Sequence, residues 1–87
     1  MNASPETIEG VRSVLARTLQ LGSRAATLDR DSVLLGNLPE LDSMAVVHVL
    51  TALEDHFAIA IADDEISADT FSTFGDLTDF VEQKLAG

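Results

Sequence analysis

The chain of 87 residues contains no cysteine. This absence excludes a disulfide scaffold, a zinc site with thiolate ligands and a cysteine nucleophile. Three catalytic patterns are also missing: the G-x-S-x-G turn that presents a nucleophilic serine, a phosphate-binding loop, and the zinc-binding H-E-x-x-H pair. The residues therefore give little support to catalysis, and we expect neither catalytic residues nor a metal site.

Basic residues are scarce and long apolar runs are absent. Fifteen acids against five bases give a net charge of −10, which argues against a nucleic acid or an anionic membrane as partner. No apolar run approaches the ~18 residues of a membrane span, and no basic-then-apolar signal segment begins the chain. We expect a cytoplasmic, monomeric protein without membrane insertion.

Hydrophobic residues make up 46% of the chain, enough for the core of one domain covering residues 1–87. Ser4 and Pro5 are typical of the cap and first position of a helix. Gly22 is expected to end this helix. The apolar residues that recur at helical spacing along it are Ile8, Val11, Val14, Leu15 and Leu19. Residues 22–42 contain helix breakers and several leucines, which predicts a packed crossover with one helical turn near Asp31.

The second helix is predicted over Ser43–Phe57, a stretch without glycine or proline, with Asp42 as its cap. Apolar residues keep helical spacing along it; these are Met44, Val47, Leu50, Leu53 and Phe57.

The remaining residues complete an all-α architecture. Residues 58–62 are interpreted as an extended connector with Ile59 and Ile61 turned inward, and a short helix is expected within residues 63–71. A last helix follows Thr73, with Asp76 completing a capping box; its apolar stripe is Leu77, Phe80, Val81 and Leu85. The prediction is a small four-helix bundle, three main helices plus one short helix, with a long first loop.

Most candidate chemistry on the chain has a structural explanation. His48 and His56 lie two turns apart on the second helix, too far apart to share one metal easily, and we expect structural roles for both. An acidic cluster of Asp63, Asp64, Glu65 and Asp69 lacks the glycine of a calcium loop, so weak screening by cations is expected there.

The pair Asp42-Ser43 is the most informative motif. A serine that opens a helix has an accessible hydroxyl, and the positive end of the helix dipole stabilises negative charge attached to it. Such residues are also ordinary caps. Asp31-Ser32 has the same form, but Gly36 and Pro39 would stop any helix that began there.

The segment Leu41-Asp42-Ser43-Met44, the ending Ala52-Leu53-Glu54-Asp55-His56-Phe57 and the acidic balance together resemble an acyl carrier protein over nearly the whole chain. The resemblance implies that a transferase moves 4′-phosphopantetheine from coenzyme A onto Ser43, with Asp42 as part of the motif. It also implies an arm whose thiol carries acyl groups as thioesters to loading and transfer enzymes of a fatty-acyl, lipid or polyketide pathway. An apolar cleft for the cargo is expected among Val47, Leu50, Leu53, Phe57, Ile61, Phe71, Phe80 and Val81.

Two departures from the family pattern concern partner recognition. Many carriers have glycine two residues before the motif's aspartate, where this chain has Glu40. The first turns of the second helix also lack the acids with which many bacterial carriers meet basic enzymes. We therefore expect an apolar docking patch flanked by acids. The patch consists of Met44, Ala45, Val46 and Val49, and the flanking acids are Glu40, Asp42, Glu54 and Asp55.

Three alternatives stay open from the sequence. A peptidyl or aminoacyl carrier is one, although such carriers more often show a Gly-Gly-x-Ser type of motif. An unmodified acidic helical interaction module is the second. A small hydrolase using Ser43 with His48 or His56 is the third and the most remote.

Overall fold

A computed structural model describes residues 4–86, with Asp63 described by its backbone alone. Three α-helices form the bundle: α1 (Pro5–Thr18), α2 (Ser43–Phe57) and α3 (Phe74–Ala86). Short 3₁₀ helices cover Gly22–Thr27, Asp63–Glu65 and Ala68–Phe71. The predicted all-α bundle with a long first loop is confirmed, and two 3₁₀ segments take the place of the predicted short helix.

Helix α1 begins as predicted and ends earlier. The Ser4 hydroxyl accepts a hydrogen bond from the Thr7 N–H, with Pro5 at the first helical position. The helix stops at Thr18 because Gln20 adopts a left-handed conformation with φ of 55°. The prediction that Gly22 ends α1 is wrong, since Gly22 opens the next 3₁₀ helix instead.

Helix α2 has the predicted bounds but a different buried face. Val49 and Leu53 are fully buried, whereas Met44 and Val47 are 64% and 54% exposed. Met44 is therefore exposed, as a docking residue requires, whereas the expectation that Val47 lines an apolar cleft is wrong. Nearly every residue in the first two turns of α2 is apolar, so spacing alone was compatible with more than one inward face, and packing against the rest of the molecule selects one.

The first loop packs onto the helices. Leu28, Leu34 and Leu41 are buried, which confirms the predicted packed crossover. The predicted turn of helix near Asp31 is wrong, since the chain there makes a non-helical turn. Arg12 fastens the loop to α1: its Nη1 donates to the carbonyl oxygens of Ala25 and Leu28 at 2.8 and 2.7 Å. The Arg12 guanidinium also lies 5.2 Å from the centre of the Phe74 ring, in a cation–π contact.

A backbone seam joins the first loop to the start of α3. Leu35 N–H donates to the Phe71 oxygen at 3.0 Å, and Phe74 N–H donates to the Ser32 oxygen at 2.8 Å. Two more bonds complete it: Leu34 N–H to the Ser72 oxygen, and Gly75 N–H to the Arg30 oxygen. The seam fixes the loop, and therefore the approach to α2, relative to α3.

The second half of the chain follows the prediction more closely. Ile59 and Ile61 are half-buried while their neighbours are exposed, so both isoleucines turn inward as predicted. Ala58, however, is the left-handed C-cap of α2 with φ of 55° and is not extended. Thr73 Oγ1 accepts from the Asp76 N–H at 3.0 Å and caps α3. On α3, Leu77 and Val81 are fully buried, Phe80 is half-buried and Leu85 is exposed. Within residues 4–86 no helix has both the length and the apolar character needed to cross a membrane.

Candidate functional site

Ser43 is the first residue of α2 and is exposed. The carboxylate of the preceding residue, Asp42, is turned toward the helix and accepts from the Ala45 N–H at 2.8 Å. The Asp42 carbonyl oxygen accepts from the Val46 N–H at 2.9 Å. The serine hydroxyl therefore stands at the electropositive end of a capped helix.

A cleft of about 350 Å³ opens beside Ser43. It lies between the start of α2, the first loop and the segment that leads into the last 3₁₀ helix. Apart from Ser43 and Ser67, its walls are apolar; the other lining residues are Leu35, Val46, Ile66, Ala68 and Phe71. An arm attached to Ser43 has room to lie against this surface, so the residues present fit a phosphopantetheine group.

Of the eight residues predicted for an acyl cleft, only Phe71 lines this one. Leu53 and Val81 are fully buried in the core, and Val47 faces solvent. The others, which pack partly buried against the core, are Leu50, Phe57, Ile61 and Phe80. The cleft residues that the sequence analysis missed come mostly from connecting segments, where helical periodicity gives no signal.

The structure also redistributes the predicted docking residues. Val49 is 0% exposed, so placing it on the docking surface is wrong; it faces the core from one turn beyond Ala45. Ala45 and Val46 are half-buried, and Val46 lines the cleft. Met44 and Val47 are the large apolar side chains that α2 exposes within the described residues.

The two acids at the end of α2 differ in availability. The Glu54 carboxylate is half-buried, and its Oε2 accepts from the Ile61 N–H at 2.8 Å. Glu54 therefore holds the connector, whereas Asp55 is exposed.

All five bases of the chain make contacts within the molecule. Three of them join segments far apart in sequence through ion pairs: Arg24 with Glu40, Arg30 with Asp79, and Lys84 with Glu65. Arg12 is engaged with the first loop as described above. Arg17 Nε donates to the Ser13 carbonyl oxygen, and its Nη2 lies 3.4 Å from His56 Nδ1.

These ion pairs stabilise the charged form of each carboxylate. The hydrogen bond from Arg24 lowers the pKa of Glu40 below its ordinary value. The hydrogen bond from Lys84 lowers the pKa of Glu65, and that from Arg30 lowers the pKa of Asp79. The carboxylates are therefore ionised at neutral pH.

The histidines and the acidic cluster do not assemble a second site. His48 and His56 are both exposed, and His56 lies about 20 Å along α2 from Ser43 at 1.5 Å per residue. Among the described side chains of residues 4–86, no group of three or more histidines and acids is arranged to hold a metal ion. The side chain of Asp63, one member of the predicted cluster, lies outside the described part.

Comparisons with known proteins agree with this geometry. The sequence model of the family described as "Phosphopantetheine attachment site" matches residues 9–81. A solution NMR structure of a holo acyl carrier protein from Nitrosomonas europaea superposes with a TM-score of 0.87 and 59% sequence identity; the match covers 92% of this chain and 96% of the other. No curated protein matches the chain in sequence.

The family match and the structural match, rather than the site geometry alone, define the class: a carrier that works through a covalently attached arm. The chain belongs to the phosphopantetheine-binding family and, within it, to the acyl carrier proteins. Its prosthetic group is 4′-phosphopantetheine. Members of this family are carriers rather than catalysts, which favours the carrier over both the unmodified interaction module and the hydrolase.

Proposed function

We propose that Ser43 is the attachment residue and that the chain carries acyl groups as thioesters on the arm bound there. The observation that carries this proposal is the exposed position of Ser43 at the start of α2, on the edge of the apolar cleft. The competing Asp-Ser pair lacks this setting. The Ser32 hydroxyl accepts from the Asp29 N–H at 2.9 Å and lies 3.2 Å from Asp29 Oδ1, so it closes a turn.

The attachment reaction uses the nucleophilic hydroxyl of this site. In a transferase complex, Ser43 Oγ attacks the phosphorus atom that bears the pantetheine of coenzyme A. A phosphodiester bond forms, the hydroxyl proton departs, and adenosine 3′,5′-bisphosphate leaves. The unpaired N–H groups in the first turn of α2 favour the resulting anion.

The proposed cargo is an acyl group of a fatty-acyl, lipid or polyketide pathway. The apolar walls formed by Leu35, Val46 and Phe71 support an apolar cargo. A single hydrophobic cluster that includes residues of all three α-helices supports one domain for the whole chain. A monomeric state and a cytoplasmic location stay predictions from the sequence.

The proposed partners are a phosphopantetheinyl transferase and the enzymes that load and remove the acyl group. We place their docking on the face of α2 formed by Met44 and Val47, next to Ser43, with exposed Asp55 at the far end of the helix. Exposed apolar side chains clustered near a modification site are typical of an interaction surface. This face replaces the predicted patch that included Val49.

The test is the intact mass of the purified chain after incubation with coenzyme A and a broad-specificity transferase. We expect a gain of one phosphopantetheine, retained in Ser32→Ala and lost in Ser43→Ala. Ser32→Ala is the matched control because it removes the hydroxyl of the other Asp-Ser pair. An unmodified wild-type chain, under conditions that load a known carrier, would refute the proposal.

A further inference from the structure

Glu40 occupies the segment that leads into Ser43, and its side chain is partly exposed. Glu40 pairs with the Arg24 guanidinium, which projects from the 3₁₀ helix Gly22–Thr27. The second carboxylate oxygen, Oε1, is shielded from solvent and has no hydrogen-bond partner among the described residues. One carboxylate oxygen is therefore turned toward the protein, while the side chain as a whole stays partly exposed.

The Arg24–Glu40 pair connects the anchored 3₁₀ helix Gly22–Thr27 to the turn that contains Ser43. On one side, Arg12 fastens the carbonyl oxygens of Ala25 and Leu28 to α1, so the 3₁₀ helix that bears Arg24 is anchored. On the other side, the Glu40 carbonyl oxygen accepts from the Asp42 N–H at 3.2 Å. Asp42 in turn caps α2 through the Ala45 N–H. Two hydrogen bonds thus link Glu40 to the helix turn that contains Ser43.

We propose that Arg24 is a positioning residue for the modification of Ser43. Through Glu40 it holds residues 38–42 in the conformation that the phosphopantetheinyl transferase binds. This inference rests on the proposed function, because it concerns the same serine and the same transferase. Arg24 contacts neither the reacting oxygen nor the donor in this arrangement; it sets the population of the binding-competent loop.

This mechanism has a defined kinetic signature. When only a fraction of the carrier is competent to bind, the apparent affinity falls in proportion to that fraction, while the bound complex reacts normally. Exposed ion pairs are weak, so removing the pair should raise the KM of the transferase for the carrier by about two- to fivefold and leave kcat unchanged.

The opposite sign is expected if Glu40 contacts the transferase directly. Arg24→Gln would then free the carboxylate for a basic partner and lower the KM. It would also make the carrier one charge more negative, which favours a basic enzyme in the same direction. The sign of the KM change therefore separates positioning by Arg24 from docking by Glu40.

The experiment measures kcat and KM of transfer to the full-length carrier for the wild type, Arg24→Gln, Arg24→Lys and Arg30→Gln. Arg30→Gln is the matched control: it removes the same charge and breaks an ion pair of similar exposure, with side chains 44% and 29% accessible against 52% and 30% for Arg24 and Glu40. We expect a higher KM for Arg24→Gln alone, and a value close to wild type for Arg24→Lys, which keeps the pair.

Amide hydrogen exchange provides a readout independent of the transferase. In Arg24→Gln we expect faster exchange at the Asp42 N–H with unchanged protection in the middle of α2. The inference is overturned, while Ser43 modification stands, by any of three results. These are an unchanged or lower KM in Arg24→Gln, a fall in kcat instead of a rise in KM, and an equal rise in KM in Arg30→Gln. A wild-type chain that accepts no arm overturns both proposals.

Discussion

Replacing Gly75 by alanine tests the seam that fixes the first loop against α3. Gly75 lies in the first turn of α3 and is buried. A Cβ atom there would stand 2.8 Å from the carbonyl oxygen of Arg30 and 3.1 Å from its Cβ. Because the nearer atom belongs to the backbone, the loop itself must move. Helix propensity alone would instead favour alanine by about 1 kcal/mol.

The opposing costs exceed this gain. Overpacking of this kind costs about 1–3 kcal/mol. Displacing the loop also strains two seam bonds, Gly75 N–H to the Arg30 oxygen at 3.1 Å and Phe74 N–H to the Ser32 oxygen at 2.8 Å, each contributing about 1 kcal/mol. The expected net result is a loss of about 1–3 kcal/mol in the free energy of unfolding, or a fall of roughly 5–20 °C in Tm.

Urea denaturation followed by circular dichroism measures this change, with Gly10→Ala as the matched control. The Cβ at Gly10 would meet the tip of the Phe57 ring at 2.5 Å, but Phe57 is half-buried and its ring can turn aside. We expect a loss below about 1 kcal/mol there, since the propensity gain offsets the smaller repacking cost. A Gly75→Ala protein as stable as wild type, or more stable, would show that the seam is not rigid.

Two further predictions concern docking and acid stability. Val47→Ser should raise the KM of the transferase for the carrier and change the free energy of unfolding little. Val49→Ser should lower the free energy of unfolding by more than about 2 kcal/mol, because it places a hydroxyl in the core. Equal stability losses in the two variants would contradict the assigned face of α2. The hydrogen bond from Arg30 lowers the pKa of Asp79 and therefore stabilises the folded protein when Asp79 is ionised. Asp79→Asn should accordingly be less stable than wild type at neutral pH. This stability difference should shrink as the pH falls below 3.8, the ordinary pKa of the carboxyl, and through the lowered pKa of folded Asp79. Urea denaturation at a series of pH values measures it. A difference that persists at the lowest pH would contradict the prediction.

The sequence was most informative where a local rule determines the structure. Capping residues located the starts of α1 and α2, because Ser4 and Asp42 accept hydrogen bonds from N–H groups of their own first turns. The end of α2 has no such signal, since Ala58 caps it in a left-handed conformation. The same local logic located Ser43 at the start of a helix. These features depend on neighbours within a few residues, which a single sequence displays.

What the sequence could not give depends on contacts between distant segments. The inward face of α2 is set by its packing partners, so Val47 and Val49 exchanged their predicted roles. The walls of the cleft include Leu35 and Ala68, which lie in segments without periodicity. The seam between Arg30 and Gly75 consists of backbone groups, and no residue type signals such pairing in advance.

The distribution of charge is compatible with long-range attraction of partners together with the proposed apolar docking face. All five bases make contacts within the molecule, three of them in ion pairs between distant segments. The acids outnumber them, which gives the net charge of −10. That excess acts over about a Debye length and favours encounters with basic enzymes. It does not by itself align the serine with an active site, since the first turns of α2 contain no acid. If docking uses the proposed face at Met44 and Val47, alignment depends on short-range contacts, and added salt should slow association more than it weakens the docked complex.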